Sequence, residues 1–321
     1  MIEFFIFALS LVAIIKGAAW LGEASVDVAK RLGIPQLLIG ATLVAVATTL
    51  PETVVSFFAG VADEPDISIG LVVGSPAANL GLIMGVLFLF GHARPLKGYF
   101  TRTVNIFIFL LALILVLGFN GTITQLGGLV LLTLAAVYLA LESLIIKSEE
   151  NFGDQLVTRF EKIKSFFSKG DGYRDIYYFV LGAVVLGIGA RFLVDSAIII
   201  AENLNIPTIV IATTAIALGT SIPELATAVH SILNGRLKLS IGNLVGASVL
   251  DLTLALGAGA VINTITIQRE ILVISIIALL IISVLNFLAT LTKFAVDKIG
   301  ILLIVTFVIF LVVLVSVELT L

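Results

Sequence analysis

Ala45-Val46-Ala47-Thr48-Thr49-Leu50-Pro51-Glu52 returns 172 residues later as Ala217-Leu218-Gly219-Thr220-Ser221-Ile222-Pro223-Glu224, and both copies lie inside hydrophobic segments. The same offset pairs Gly17-Ala18 with Gly189-Ala190, Glu23 with Asp195, Ile34-Pro35 with Ile206-Pro207, Ser68-Ile69-Gly70 with Ser240-Ile241-Gly242, and Asn79 with Asp251. No gap is needed from Gly17 to Asn79, which argues against chance and for an internal duplication. A helix-breaking Thr-(Thr/Ser)-x-Pro-Glu repeated at membrane depth is the sequence sign of a two-repeat ion transporter.

Working outward, 60% of the 321 residues are apolar and only 12% are charged. A soluble domain carries about 25% charged residues, so this composition excludes a soluble enzyme or binding module and indicates a polytopic membrane protein. Spanning a bilayer takes roughly 20 apolar residues. Ten stretches qualify: 2–22, 36–61, 67–91, 103–119, 123–146, 175–201, 207–233, 239–263, 271–290 and 299–319. The first has no basic leader and runs into the repeat pattern, so it reads as a helix and not as a cleaved signal. The predicted fold is all-α, with ten transmembrane helices in two halves, 1–146 and 175–321. Five spans per half force the halves to insert in opposite orientations, which makes an inverted repeat.

Charge placement orients the chain. Fifteen lysines and arginines fall in one family of loops and only Arg269 in the other. The positive-inside rule then places both termini outside the cytoplasm. The opposite loops hold Asp63, Glu64, Asp66, Glu202 and Glu270, an acidic mouth that concentrates cations or simply a solvated acidic surface. Residues 147–174 form the one long polar connection, in which Phe152, Leu156, Phe160, Ile163 and Phe167 draw an apolar stripe beside Arg159, Lys162, Lys164 and Lys169. That pattern suits a cytoplasmic interfacial helix or a plain helical linker, and is too short for a folded domain. Arg191 and Asp195, four apart, read as a pair along a helix. With no cysteine, disulfides and thiolate metal sites are excluded.

The duplicated motif dictates a chemistry. Proline within a helix has no N–H to donate and clashes with the carbonyl four residues earlier, here Ala47 and Gly219. In hydrocarbon a freed carbonyl is tolerated only where protein, water or an ion satisfies it. Glu52 and Glu224 follow at once, and neither has a basic neighbour in sequence to pair with. Carbonyls, the hydroxyls of Thr48, Thr49, Thr220 and Ser221, and two carboxylates together make an all-oxygen environment. Hard cations such as Ca²⁺ take about 6–8 oxygens of this kind. Ser75, Asn79 and Asp251, on the spans that follow, offer further oxygens, or else bond between helices.

Each Thr-(Thr/Ser)-x-Pro-Glu segment is followed by a Gly-rich one, Gly70 to Asn79 and Gly242 to Asp251. Together they resemble the alpha repeats of the sodium/calcium exchanger branch of the calcium/cation antiporters, over essentially the whole chain. The resemblance implies ten helices, an outer N-terminus and ion sites between the second, third, seventh and eighth spans. It implies that Glu52 and Glu224 are central Ca²⁺ ligands, joined by backbone oxygens of Thr48 and Thr220. Ser75, Thr49, Ser221 and the carbonyls of Ala45 and Ala217 would serve flanking Na⁺ positions, with Asn79 and Asp251 in the middle. The transported ions would be Ca²⁺ and Na⁺, the activity antiport and not enzymatic turnover, with no organic cofactor and no obligate protein partner.

The sequence departs from the family pattern at three positions. Leu71 and Pro76 stand where Asn is usual, and Ala247 replaces a Ser, removing a hydroxyl from one flanking position. Ser248 comes one residue late and points elsewhere on a helix. The coupling ratio and the coupling ion are therefore open, with a proton-coupled Ca²⁺ exchanger as the alternative. An intramembrane aspartyl hydrolase needs two adjacent aspartates, and Asp251 is the only well-centred one. A passive channel fits the acids but does not require two inverted broken helices.

Overall fold

The computed structural model describes residues 2–31, 45–91, 97–149, 171–233, 237–291 and 296–320. The interfacial stripe predicted between Phe152 and Phe167 lies outside them. Nearly everything described is helical: α1 Ile2–Arg31, α2 Ala45–Ala62, α3 Pro65–Gly91, α4 Lys97–Leu117, α5 Gln125–Glu149, α6 Asp171–Leu204, α7 Thr208–Thr220, α8 Ile222–Leu233, α9 Leu237–Ile262, α10 Arg269–Leu291 and α11 Val296–Glu318. Among the described residues, eight helices are long and apolar enough to cross a membrane. The pair α7–α8 adds a further span bent by 42°, while the apolar part of α4, Thr101–Leu117, is shorter. Large apolar side chains such as Phe5, Leu9, Val305 and Val312 face outward, as lipid-facing residues do.

Contacts at the helix ends sort the loops onto two faces. Asn263 Nδ2 donates to Asp63 Oδ1 at 2.6 Å, and Gln125 Nε2 donates to the Ile262 carbonyl. Short strands β1 (Thr122–Ile123) and β2 (Ile265–Thr266) pair antiparallel on the same face. At the other face Gly91 meets Leu237 and Ile232. The C-terminal end of α2 therefore lies on the first face and that of α8 on the second, so the two motif-bearing helices run in opposite directions.

The core is divided. Buried apolar residues of α4, α5, α9, α10, α11 and much of α3 form one cluster, including Phe88, Phe107, Leu131, Leu250 and Leu303. A second cluster joins α1 and α6 to α2, α7 and the first turns of α3. Within it α1 and α6 approach at glycine. A Cβ on Gly17 would lie 2.6 Å from the Leu186 nitrogen, and one on Gly182 2.7 Å from the Gly17 carbonyl. Only the missing side chains allow backbones to come this close.

The expectation that both proline motifs break their helices is corrected for the first. α2 continues as an α-helix through Pro51. At the second the chain breaks at Ser221, whose φ of −82° and ψ of 4° leave the helical region. A widened π-helical turn, Ala212–Ile216, precedes that break and shifts its register. The positions that correspond to it, 40–44, lie outside the described residues.

Arg102 on α4 donates to both oxygens of the buried Glu142 on α5, at 2.7 and 2.9 Å. The offset positions are Ile274 and Leu314, so the pair belongs to one half only. Arg102→Ala is expected to lower stability by about 1–3 kcal/mol by leaving Glu142 without its bidentate donor. A lower Tm in detergent would register it, and replacing both residues by Met should recover most of the loss.

Candidate cation site

Four helical segments bring the expected residues to the middle of the molecule. Thr48, Thr49 and Glu52 come from α2, Ser75 and Asn79 from α3, Thr220 and Ser221 from the α7–α8 break, Glu224 from the first turn of α8 and Asp251 from α9. All are buried except Thr48, which is half-buried. The hydroxyls of Thr220 and Ser75 stand beside the Glu52 carboxylate, and that of Thr48 stands beside Glu224. Asp251 lies close enough to both glutamates for the three charges to act on one another. Glu224 also sits in the first turn of α8.

The decisive feature is what these groups do not bond to. Glu52 Oε2, Glu224 Oε2, Asp251 Oδ2, Asn79 Oδ1, Ser75 Oγ and Ser221 Oγ are all buried without a hydrogen-bond partner. A buried unsatisfied polar group costs roughly 1–3 kcal/mol, and more if charged. Six such oxygens from four segments match the needs of a bound hard cation. Among the described residues no three His, Asp or Glu side chains converge as a metal-binding group.

The carbonyls are less free than the prolines suggest. Ala45 O accepts from Thr48 Oγ1 at 3.2 Å and Thr49 Oγ1 at 2.9 Å. Ala217 O accepts from Thr220 Oγ1 at 3.2 Å and from the Ser221 N–H at 3.1 Å. Backbone N–H groups at the break also reach the Gly219 carbonyl. As ligands, Ala45 and Ala217 would share their second lone pair or exchange a hydroxyl for an ion.

Two features escaped sequence reading. Asn79 and Asp251 open π-helical turns, Ala78–Ile83 and Asp251–Ala255, at positions related by the repeat. Such turns turn extra carbonyls out of the helical ladder. Asn286 on α10 donates to Leu80 O and Ile282 O at 2.9 Å each, fastening the first of them. A lone Asn in the ninth apolar stretch was the available signal. Elsewhere, Arg191 and Asp195 pair at 3.0 Å, away from the site, and Ser248 Oγ donates to Leu244 O, turned from the carboxylates as its late register required.

A cavity of about 410 Å³ leads to the site between α1, α2 and α8. Thr48, Pro51 and Pro223 form its inner wall, and Glu23 and Asp27 of α1 its outer part. Those two acids lie near Arg174 and Tyr178 at the start of α6, so the cavity opens at the face opposite Asp63. On the Asp63 face, burial first, then the charges of Asp66, Asp63 and Glu202, raise the Glu64 carboxyl above the usual range. Glu318, absent from the predicted mouth, also approaches Asp66.

A family model described as sodium/calcium exchanger protein matches residues 2–144 and again residues 175–317. The chain belongs to the sodium/calcium exchanger family. It is thus a multi-pass membrane transporter and not an enzyme. Among its relatives, the sodium/calcium exchanger MaX1 of Methanosarcina acetivorans is 30% identical over 289 residues, covering 80% of this chain and 82% of the relative. The inner membrane protein YrbG of Escherichia coli (strain K12) is 29% identical over 255 residues, 79% of this chain and 78% of the relative. The structure of the sodium-calcium exchanger NCX_Mj soaked with Na⁺ and Sr²⁺ superposes with a TM-score of 0.64 at 25% identity, covering 96% of each chain. Membership in this family supports cation/Ca²⁺ antiport.

Proposed function

We propose that this protein is a secondary active antiporter that exchanges Ca²⁺ for Na⁺ by alternating access around Glu52 and Glu224. The single observation that carries the reading is the set of six partnerless buried oxygens gathered from both repeats. Ten transmembrane helices in two inverted five-helix halves, 1–146 and 175–321, would build it, with 147–174 as a cytoplasmic linker and both termini outside. Support comes from the opposed directions of α2 and α8 and from the family model matching twice.

In this reading Ca²⁺ sits between Glu52 and Glu224 with backbone oxygens of Thr48 and Thr220. Na⁺ takes the flanks, at Ser75, Thr49, Ser221 and the carbonyls of Ala45 and Ala217, while Asn79 and Asp251 line the middle. One carboxylate pair cannot serve both ions at once, and this exclusion couples their movements. Sliding of α1 and α6 over the site at their glycine contact would close the Glu23 cavity and open the opposite face. The cavity that reaches Thr48 supports a cytoplasmic path to the ions in this reading.

The test is ⁴⁵Ca²⁺ uptake into proteoliposomes loaded with Na⁺, against choline-loaded vesicles under an imposed pH gradient. Uptake that requires internal Na⁺ is expected. Uptake driven by the pH gradient alone would establish the second reading, proton coupling, which the burial of Asp251 beside two further carboxylates favours.

The acidic face should act through its field. Glu64→Gln is expected to raise the half-saturating Ca²⁺ concentration on that side about two- to five-fold at low salt, and hardly at all at high salt. Because burial and the nearby carboxylates raise the Glu64 carboxyl, it neutralises earlier than an ordinary glutamate as pH falls. The difference between variant and wild type should accordingly shrink on mild acidification. An undiminished difference at high salt would rule out the electrostatic role.

A further inference from the structure

The π-helical turns that open at Asn79 and Asp251 each leave one carbonyl out of the helical ladder. In α3 the Met84 N–H donates to Asn79 O and Gly81 O, passing over Leu80 O. In α9 the Leu256 N–H donates to Asp251 O and Thr253 O, passing over Leu252 O. The 172-residue offset pairs Asn79 with Asp251, Leu80 with Leu252 and Met84 with Leu256, so one local geometry is built twice.

The two passed-over carbonyls meet different residues. Leu80 O accepts from Asn286 Nδ2 at 2.9 Å, and the same nitrogen donates to Ile282 O, one turn back on α10, also at 2.9 Å. Both partners are acceptors, so the amide nitrogen must face them and the side chain is held in one orientation. Asn286 is buried. Its counterpart by the offset is Ile114 of α4, buried and without a polar side-chain atom. The Asp251 turn forms without an asparagine at that place, so the fold does not need one to make such a turn.

Charge explains the difference. A carboxylate is drawn to a cation by its full charge, whereas the Asn79 amide offers only a dipole and must be aimed in advance by the chain. Asn79 lies about one turn beyond Ser75 on the same face of α3, and Ser75 stands beside the Glu52 carboxylate. Its Oδ1 is buried without a partner. Without the Asn286 donor, Leu80 O would compete for the Met84 N–H and the turn would rewind towards a regular helix. Met84, Leu87 and Phe88 beyond it are fixed in the core. Rewinding would therefore rotate Asn79 by up to about 100°, away from the carboxylates.

We infer that Asn286 is a positioning residue for ion binding. By holding Leu80 O it keeps the Ala78–Ile83 turn open and Asn79 Oδ1 aimed at the ion, a role that rests on the exchange reading above. It touches no ion itself, and it acts in one repeat only.

The test is a double-mutant cycle in Ca²⁺ affinity, read by isothermal calorimetry on the full chain in Na⁺-free detergent. Asn79→Ala and Asn286→Leu should each weaken Ca²⁺ binding about ten-fold, as when a group behind a metal ligand is lost. The double variant should also be about ten-fold weaker, and not the roughly hundred-fold of independent losses, because Asn286 acts only through Asn79. Asn286→Ser covers a failure of Asn286→Leu to fold. Its hydroxyl can turn back on Ile282 O, as Ser283 does on Leu279 O at 2.6 Å, but is too short to reach Leu80 O, so its affinity should fall equally. Additive losses, as a merely structural asparagine would give, or wild-type affinity in any of these variants, would overturn the inference. A wild type that binds no Ca²⁺ would instead overturn the exchange reading itself.

Discussion

Glu52→Gln and Glu224→Gln should each reduce Na⁺-driven Ca²⁺ uptake at least about 100-fold. Two unit charges about 4 Å apart are worth about 4 kcal/mol near a protein surface, and a divalent ion doubles that. Losing even part of such a contact exceeds the 1.4 kcal/mol that makes a tenfold change in affinity. Glutamine keeps the shape of the side chain and one oxygen, so the helices should assemble as before. Circular dichroism and gel filtration in detergent should match wild type, which separates a lost ligand from a lost fold. Both glutamates lie buried with an oxygen that bonds to nothing, so neutralising either should relieve repulsion and raise Tm while transport falls. Wild-type uptake by either variant would sink the proposed site.

Gly17→Val should abolish transport by a different route. The new Cβ would sit 2.6 Å from the Leu186 nitrogen, 2.8 Å from the Gly182 carbonyl and 2.9 Å from the Leu186 Cα. All three are backbone atoms and cannot rotate away, so α1 and α6 must separate. Overpacking of this kind costs about 1–3 kcal/mol. α1 and α6 carry none of the proposed ligands, and the cluster they share with α2, α7 and the first turns of α3 is apart from the α4, α5, α9, α10 and α11 core, so binding should suffer less than transport. Equilibrium Ca²⁺ binding in detergent, read by isothermal calorimetry, should be kept within a few-fold while uptake drops about 100-fold. Equal loss of binding and uptake would show that the glycine contact supports the site and does not serve movement.

Much of this protein was legible because a membrane leaves few options. Backbone groups in hydrocarbon must be satisfied internally, so a helical fold followed from hydropathy, and ion chemistry from Glu52 and Glu224 beside prolines. The duplication also named Ser75, Asn79 and Asp251 before any coordinates. The two related motifs nevertheless behave differently, since α2 passes straight through Pro51 while the chain bends at Ser221. The proline alone does not distinguish these outcomes, because a kink also depends on what neighbouring helices offer the freed carbonyls and on local differences such as Gly219 for Ala47. The π-helical turns at Asn79 and Asp251 were hidden for a related reason. An inserted residue in a helical ladder leaves no periodicity break in a stretch that is apolar on all sides.

The amino-acid sequence by itself determined the class of the molecule, its duplicated halves, the polar residues of the candidate site and the missing hydroxyl at position 247. These follow from composition and spacing, which the bilayer converts directly into structure. Only the tertiary structure decided which oxygens remain open. Thr48 and Thr49 turn back onto Ala45 while Ser75 and Ser221 do not. That choice depends on rotamers and on how closely α3 and α9 approach their partners. These are properties of packed helices, and no single helix carries them in its own sequence.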